Sequence, residues 1–254
     1  MNKRQITAGI LIIGNEVLSG RTKDVNLQYL TLKLGEIGIQ VSEARVVLDE
    51  EDKIISAVNH LRSVYDYLFT TGGIGPTHDD ITSLSIAKAF GIGHEKHPEA
   101  EAILRSYYKI GDITEARLRM AELPVGAHLL YNPVSHAPGF CVENVYVLPG
   151  VPKIMQAIFE GFYNNLTGGV PILSYSISTL LGEGIIGTDL GVLQLKHPEV
   201  SIGSYPFLKD GKTGTSLVAR HTDQVLLEQV KNELQSLIVK LGGDVLSDLN
   251  NSET

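Results

Sequence analysis

Along this chain, short uninterrupted apolar runs alternate with stretches of helical spacing. Residues 6–13 form a continuous apolar run that stops at Gly14, the pattern of a strand buried on both faces. Residues 24–34 place Leu27, Leu30 and Leu34 at helical intervals, with Asp24 as the cap. Residues 41–48 and 67–70 read as further strands. Helices are predicted over 52–64, where Ile54, Ile55, Val58 and Leu61 share a face, and over 81–90. A helical stretch over 98–119 is interrupted near Gly111, and strands at 127–131 and 145–148 lead to a helix from 152 to about 163. Short strands alternating with helices predict an α/β sandwich, its sheet parallel and its crossovers right-handed.

The pattern changes after Thr167-Gly168-Gly169-Val170-Pro171, a breaker-rich segment that marks a domain boundary. The expected domains are 1–168 and 171–254. In the second, residues 174–180 alternate like a half-exposed strand and 185–195 read as a helix. A hairpin is expected over 201–205 and 215–221, and an amphipathic helix over 225–241. That order describes a small α+β module.

Composition narrows the functions open to such a chain. Its 254 residues are 43% hydrophobic and 20% charged, a globular balance. Acids outnumber bases, 29 to 21, for a net charge of −8, and no basic stripe stands out, so nucleic acid is not an expected partner. No apolar run reaches the roughly 18 residues of a membrane span. The single Cys141 excludes an internal disulfide framework and a thiolate zinc cluster, and the short apolar stretch after the basic start does not resemble a signal peptide. A cytoplasmic protein without a membrane partner is the expectation.

Two glycine motifs in the second module are weak signals. Gly182-Glu183-Gly184-Ile185-Ile186-Gly187 fits a dinucleotide fingerprint, but the module is too short for the fold that the fingerprint serves. Gly211-Lys212-Thr213-Gly214 lies between two strands and reads as a hairpin turn.

The chemistry-bearing segment is Thr70-Thr71-Gly72-Gly73-Ile74-Gly75-Pro76-Thr77-His78-Asp79-Asp80-Ile81-Thr82, between a strand and a helix. Such a position at the carboxyl edge of a parallel sheet is where α/β folds place ligands. Gly72, Gly73 and Gly75 let backbone amides approach an anion, and the following helix aims its N-terminus at the same place. Acids among these donors repel a bare phosphate, so Asp79 and Asp80 make most sense with a divalent cation between them and the ligand. Asp49, after its own strand, is placed to face the same cleft, and Gly14-Asn15-Glu16 offers a third acid at that edge. Plainer roles stand beside these: Thr77 and Asp80 as a capping box, residues 49–52 as a solvated helix start, and residues 14–16 as a turn.

The string from Thr71 to Thr82 resembles the signature of the molybdopterin-binding domain shared by molybdenum-cofactor biosynthesis proteins and CinA-like competence/damage-inducible proteins. Gly14-Asn15-Glu16-Val17-Leu18-Ser19-Gly20 with Asp24 and Asn26 resembles the opening block of that family. Asp49, Asn132-Pro133, Ala137-Pro138-Gly139-Phe140 and Leu148-Pro149-Gly150-Val151-Pro152 match later blocks in order. The resemblance implies a three-layer sandwich with a mostly parallel sheet, followed by a small KH-like α+β domain. It implies Asp49 and Asp80 as catalytic residues and ligands of a divalent ion (Mg²⁺, Mn²⁺ or Co²⁺). Phosphate or nucleotide binding would fall to Thr71, Gly72, Gly73, Gly75, Thr77, Asp79, Gly14, Glu16, Asn26, Asn132, Gly139 and Gly150. The implied activity is hydrolysis of an adenine-nucleotide diphosphate of the ADP-ribose or FAD type. Alternatives are binding or adenylation of molybdopterin, and non-catalytic binding of a nucleotide or pterin. A homo-oligomer is implied, and the deamidase domain of longer CinA-like proteins is not expected. The chain departs from the family at Ser135-His136, where Gly-Thr is usual, and at Ile154 before Met155, where CinA-like chains carry an acid.

Overall fold

The computed structural model describes residues 4–109, 111–209 and 211–246. Its contacts divide the chain into two compact units that meet at Val170 and Pro171.

The first unit opens with β1 (Ile6–Ile13), α1 (Asn15–Leu18), α2 (Asn26–Glu36), β2 (Ile39–Val47), α3 (Glu51–Val64), β3 (Tyr67–Thr71) and α4 (Thr82–Phe90). Next come β4 (His94–Lys96), α5 (Pro98–Tyr107), α6 (Glu115–Leu118), β5 (Glu122–Pro124), β6 (His128–Leu130), β7 (Gly139–Val142), β8 (Val145–Leu148) and α7 (Pro152–Glu160). A six-stranded sheet runs in the order β2-β1-β3-β8-β7-β6. Its first four strands pair in parallel and the last two join antiparallel.

The unbroken apolar run of β1 exists because both of its faces are covered. Ala8, Ile10 and Ile12 pack with Leu30, Leu34, Met155 and Phe159 from α2 and α7. Leu11 and Ile13 face the opposite layer with Ile54, Val58, Leu61 and Ile86 from α3 and α4. β3 divides in the same way, Leu68 to one layer and Phe69 to the other, since alternate side chains of a strand point to opposite faces. The result is a three-layer α/β sandwich.

In the second unit, β9 (Leu173–Thr179), α8 (Glu183–Lys196), β10 (Ser201–Lys209), β11 (Lys212–His221) and α9 (Gln224–Lys240) follow in order. The sheet β10-β11-β9 is antiparallel, and Ile177, Leu217 and Ala219 on it pack against Ile186, Leu190, Val230, Leu234 and Ile238 of the two helices.

Some expected boundaries move. The stretch 98–119 contains two helices, α5 capped by His97 and α6 capped by Thr114, each cap side chain accepting a first-turn amide. The hairpin of the second unit pairs Lys209 with Lys212, so the turn falls before Lys212, and Thr213 and Gly214 belong to the strand. The strands β4, β5 and β7 have no counterpart in the periodicity of the sequence. Among the described residues, no helix is long and apolar enough to cross a membrane.

Candidate functional site

The site is built where β1, β2, β3 and β8 end together. Register pairs Ile13 with Val47, and Thr71 with both Ile12 and Leu148, so the segments leaving all four strands emerge along one edge. The amide of Gly14 donates to the carbonyl of Val47 at 3.1 Å, and Gly72 donates to that of Leu148 at 3.0 Å, which closes the edge like a seam.

Gly72 and Gly73 then take φ values of 102° and 66°. A Cβ on Gly72 would stand 2.0 Å from the carbonyl oxygen of Ile13, and one on Gly73 would stand 2.1 Å from the Thr82 hydroxyl. Both the left-handed backbone and the close approach demand glycine here. The turn is fastened from the helix side, where Thr82 donates its amide to Gly73 O and its hydroxyl to Gly72 O, each at 3.0 Å. With those bonds made, no protein acceptor among the described residues takes the amides of Gly73, Ile74 or Gly75. The first-turn amides of Ser83 and Leu84 in α4 are likewise unclaimed. These open donors form a cradle for an anion, reinforced by the positive end of the helix.

Of the acids near this loop, Asp80 and Glu16 line the cleft over it, while Asp49 and Asp79 are not on its wall. Asp80 Oδ2 accepts the amide of Thr77 at 2.8 Å and its hydroxyl at 2.5 Å, and lies beside Gly75, where a Cβ would come within 2.7 Å of it. This pair closes a turn ahead of α4 and does not cap it, because the helix begins at Thr82 with Ile81 at its N-cap. Asp79 sits exposed in the same turn. Asp49 stands just before α3, its Oδ2 accepting the Asn15 amide at 2.8 Å, while Asn15 Oδ1 takes the Asp49 amide at 3.4 Å. Its Oδ1 lies 3.6 Å from where a Cβ on Gly73 would be. Burial pushes the Asp49 carboxyl up, and the charges of Glu16 and Asp79 push it further.

A cleft of about 710 Å³ opens over the loop. Its walls include Glu16, Gly72, Gly73, Gly75, Asp80, Asn132 and Gly150 from the predicted set, together with Thr22, Tyr108, Arg117, Ser135 and Ile154. A smaller chamber of about 230 Å³ shares Ile74, Gly75 and Asp80 with it and is bounded by Arg119 and the Ser83–His94 pair.

Several predicted residues, Asn132 on the wall among them, support the loops and strands around the cleft. Thr71 is buried with its hydroxyl unpartnered. Asn26 is buried, donates to Gly150 O at 2.8 Å, and leaves its own Oδ1 without a partner. It thereby holds the 149–151 turn close to Gly72, 3.4 Å from the Cβ position of Gly150. Asn132 uses its whole amide inside its own loop, donating to Ser135 Oγ and Ala137 O and accepting from the amides of Val134 and Ser135. Its part is to set that loop. Gly14 is buried at the end of β1, with the Glu16 carboxylate folded over it, 2.8 Å from its Cβ position. Gly139 lies within the sheet, where a Cβ would meet Val147 O at 2.6 Å.

Arg117 and Arg119 escaped the sequence reading. Arg117 lies over the Tyr108 ring at 4.3 Å and donates to the Asp112 carbonyl, and Arg119 donates to Pro76 O at 2.9 Å. Guanidinium groups beside a glycine-rich loop suit phosphate. Their signal in sequence is only a pair of arginines two positions apart in a polar segment.

Among the described residues, no group of three or more His, Cys, Asp or Glu side chains is spaced to cage a metal ion. The carboxylates on the cleft wall are those of Asp80 and Glu16, and a Mg²⁺-type ion binds through one or two carboxylates together with water and ligand phosphate.

The matches to known proteins agree with this geometry. Residues 9–168 match the family described as probable molybdopterin binding domain, and residues 171–241 match the FAD synthase middle domain. The crystal structure of the CinA protein of Thermoplasma acidophilum, whose function is given as unknown, is 36% identical with a TM-score of 0.60. It covers 63% of this chain and 96% of its own. A Saccharolobus islandicus protein is 34% identical over 95% of this chain and 98% of itself, and a Pyrobaculum calidifontis protein 37% over 79% and 80%. The chain belongs to the molybdopterin-binding-domain family. Within that family it is a CinA-like protein that carries an FAD-synthase-type middle domain.

Proposed function

We propose that this protein is a divalent-metal-dependent pyrophosphatase acting on an adenine-nucleotide diphosphate of the ADP-ribose or FAD type. The observation that carries the reading is the turn at the left-handed glycines Gly72 and Gly73, which leaves three amides without a protein acceptor in a loop that walls a cleft edged by Asp80 and Glu16. The match of residues 171–241 to an FAD synthase domain supports a flavin or adenine nucleotide as the class of ligand.

In this reading the amides of Gly73, Ile74 and Gly75 bind non-bridging phosphate oxygens, and Arg117 reaches the same cleft to offset their charge. Asp80 and Asp49 would hold the cation. When bound, that ion neutralises charge building on the phosphate oxygens. Thr77 fixes the Asp80 carboxylate through two hydrogen bonds, and Asn15 fixes that of Asp49. Water adds to one phosphorus, the anhydride oxygen leaves with the other, and AMP and a second phosphate monoester result.

The test is incubation of the purified protein with ADP-ribose or FAD and Mg²⁺, Mn²⁺ or Co²⁺. AMP release is expected, and its absence with every metal contradicts the proposal. A second reading, that the cleft binds or adenylates a phosphorylated pterin, is favoured by the family matched over 9–168. Adenylation of molybdopterin, with no release of AMP from ADP-ribose or FAD, would establish it in place of the first.

A further inference from the structure

Beside the main cleft lies a second hollow of about 500 Å³, walled by Ile103, Tyr131, Pro133, His136 and Ala157, with Glu99 at its rim. Asn132 is a wall of both spaces, so the two lie side by side at the 132–137 loop. His136 adopts φ 62°, a left-handed conformation uncommon for any residue with a side chain. The imidazole it presents is stacked on Tyr107, with ring centroids 4.3 Å apart and planes inclined by 24°. Tyr107 is not itself a wall of the hollow, so it backs the imidazole from outside. Tyr131 is 61% exposed, and its hydroxyl is tied to Glu99 at 2.7 Å, which fixes a second aromatic surface on the same hollow.

Hydrogen bonds within the loop tie it to itself. Asn132 satisfies four hydrogen bonds inside it, which sets the backbone that carries His136. A backbone held in a disfavoured conformation, a ring stacked on a neighbour and a largely apolar hollow together make a platform for one face of a planar ring.

We infer that His136, backed by Tyr107, is the platform on which the purine base of the ligand stacks, in a pocket that borders the diphosphate cleft at Asn132. The inference rests on the proposed diphosphate reading and adds the position of the base. It also gives Ser135-His136, a departure from the family pattern, a role in choosing the ligand.

The experiment is calorimetric titration of the wild-type protein, His136→Gly and His136→Phe with ADP and with inorganic pyrophosphate, all in Mg²⁺. Glycine suits φ 62°, so His136→Gly folds at least as stably as the parent. Its affinity for ADP should fall about tenfold or more, the usual effect of removing a base-stacking side chain. His136→Phe should stay within about threefold of wild type, and pyrophosphate should bind all three proteins alike. Equal ADP affinity in wild type and His136→Gly overturns the inference, as does a parallel loss of ADP and pyrophosphate. If ADP binding depends on residue 136 but pyrophosphate binds none of the three, the base platform stands and the diphosphate cradle falls.

Discussion

Two glycine-rich segments of this chain look alike on paper and differ in substance. At the edge of the first unit's sheet, Gly72 and Gly73 are left-handed, and a side chain on either would strike neighbouring atoms at about 2 Å. In the second unit, Gly182, Gly184 and Gly187 keep negative φ at the start of α8, and a Cβ on any of them would meet nothing within 4 Å. The first set exists because no other residue fits and leaves amides open. The second set surrenders helix stability at positions where nothing approaches closely enough to require glycine. A glycine motif is therefore read from the backbone it permits and the space it spares, not from its spacing.

The largest expected effect comes from adding one methyl group to each segment. Gly72→Ala forces a Cβ against Ile13 O at a left-handed position and should cost about 2–4 kcal/mol in chemical denaturation. Gly187→Ala, inside α8, should instead stabilise by about 0.5–1 kcal/mol. Equal effects at the two sites would dissolve the distinction.

Asp80→Asn separates ligand chemistry from folding in the first segment. The amide oxygen of asparagine can still accept from Thr77, so denaturation should shift by no more than about 1 kcal/mol. AMP release should drop about 100-fold or more in kcat/KM. A large loss of stability with activity retained would assign Asp80 to the turn alone.

Carboxylates in the two units also behave in opposite ways. Glu233 is held down to about 2, chiefly by its hydrogen bond to Lys196. A carboxyl depressed by folding contributes stability above its unfolded pKa. The second unit should therefore lose that contribution as the pH falls from about 4.5 towards about 2, by about 1 kcal/mol after discounting for exposure to water. Glu233→Gln should flatten this dependence in acid titrations followed by circular dichroism. Asp49 is raised, mainly by desolvation, so its ionised form opposes folding and the penalty is relieved as acid protonates it. Without a divalent ion, Asp49→Asn should leave the melting temperature unchanged or slightly higher, and it should weaken Mg²⁺-dependent nucleotide binding. A marked drop in melting temperature would mark Asp49 as structural.

Much of this was legible in the chain. The runs at 6–13 and 67–70, the helical faces of α2 and α3 and the glycine segment announce themselves because each is set by local pattern and by the sheet edge it ends on. The pairing of His94–Lys96 with Glu122–Pro124 does not, since three-residue strands carry no periodicity and find each other across a long intervening segment. Arg117 and Arg119 were missed for a related reason, because tertiary folding of the α5–α6 segment brings them to the loop. Thr77 and Asp80 show a subtler gap. Their spacing suggests a cap, whereas the helix starts two residues after Asp80 and the pair shapes the turn that opens the amides.

The most direct measurement is an amide NMR titration of the full chain with inorganic pyrophosphate and Mg²⁺. The account predicts saturable shifts at Gly73, Ile74 and Gly75, with Gly184 and Gly187 unmoved. No change at the three loop amides, or equal changes in both segments, would contradict it.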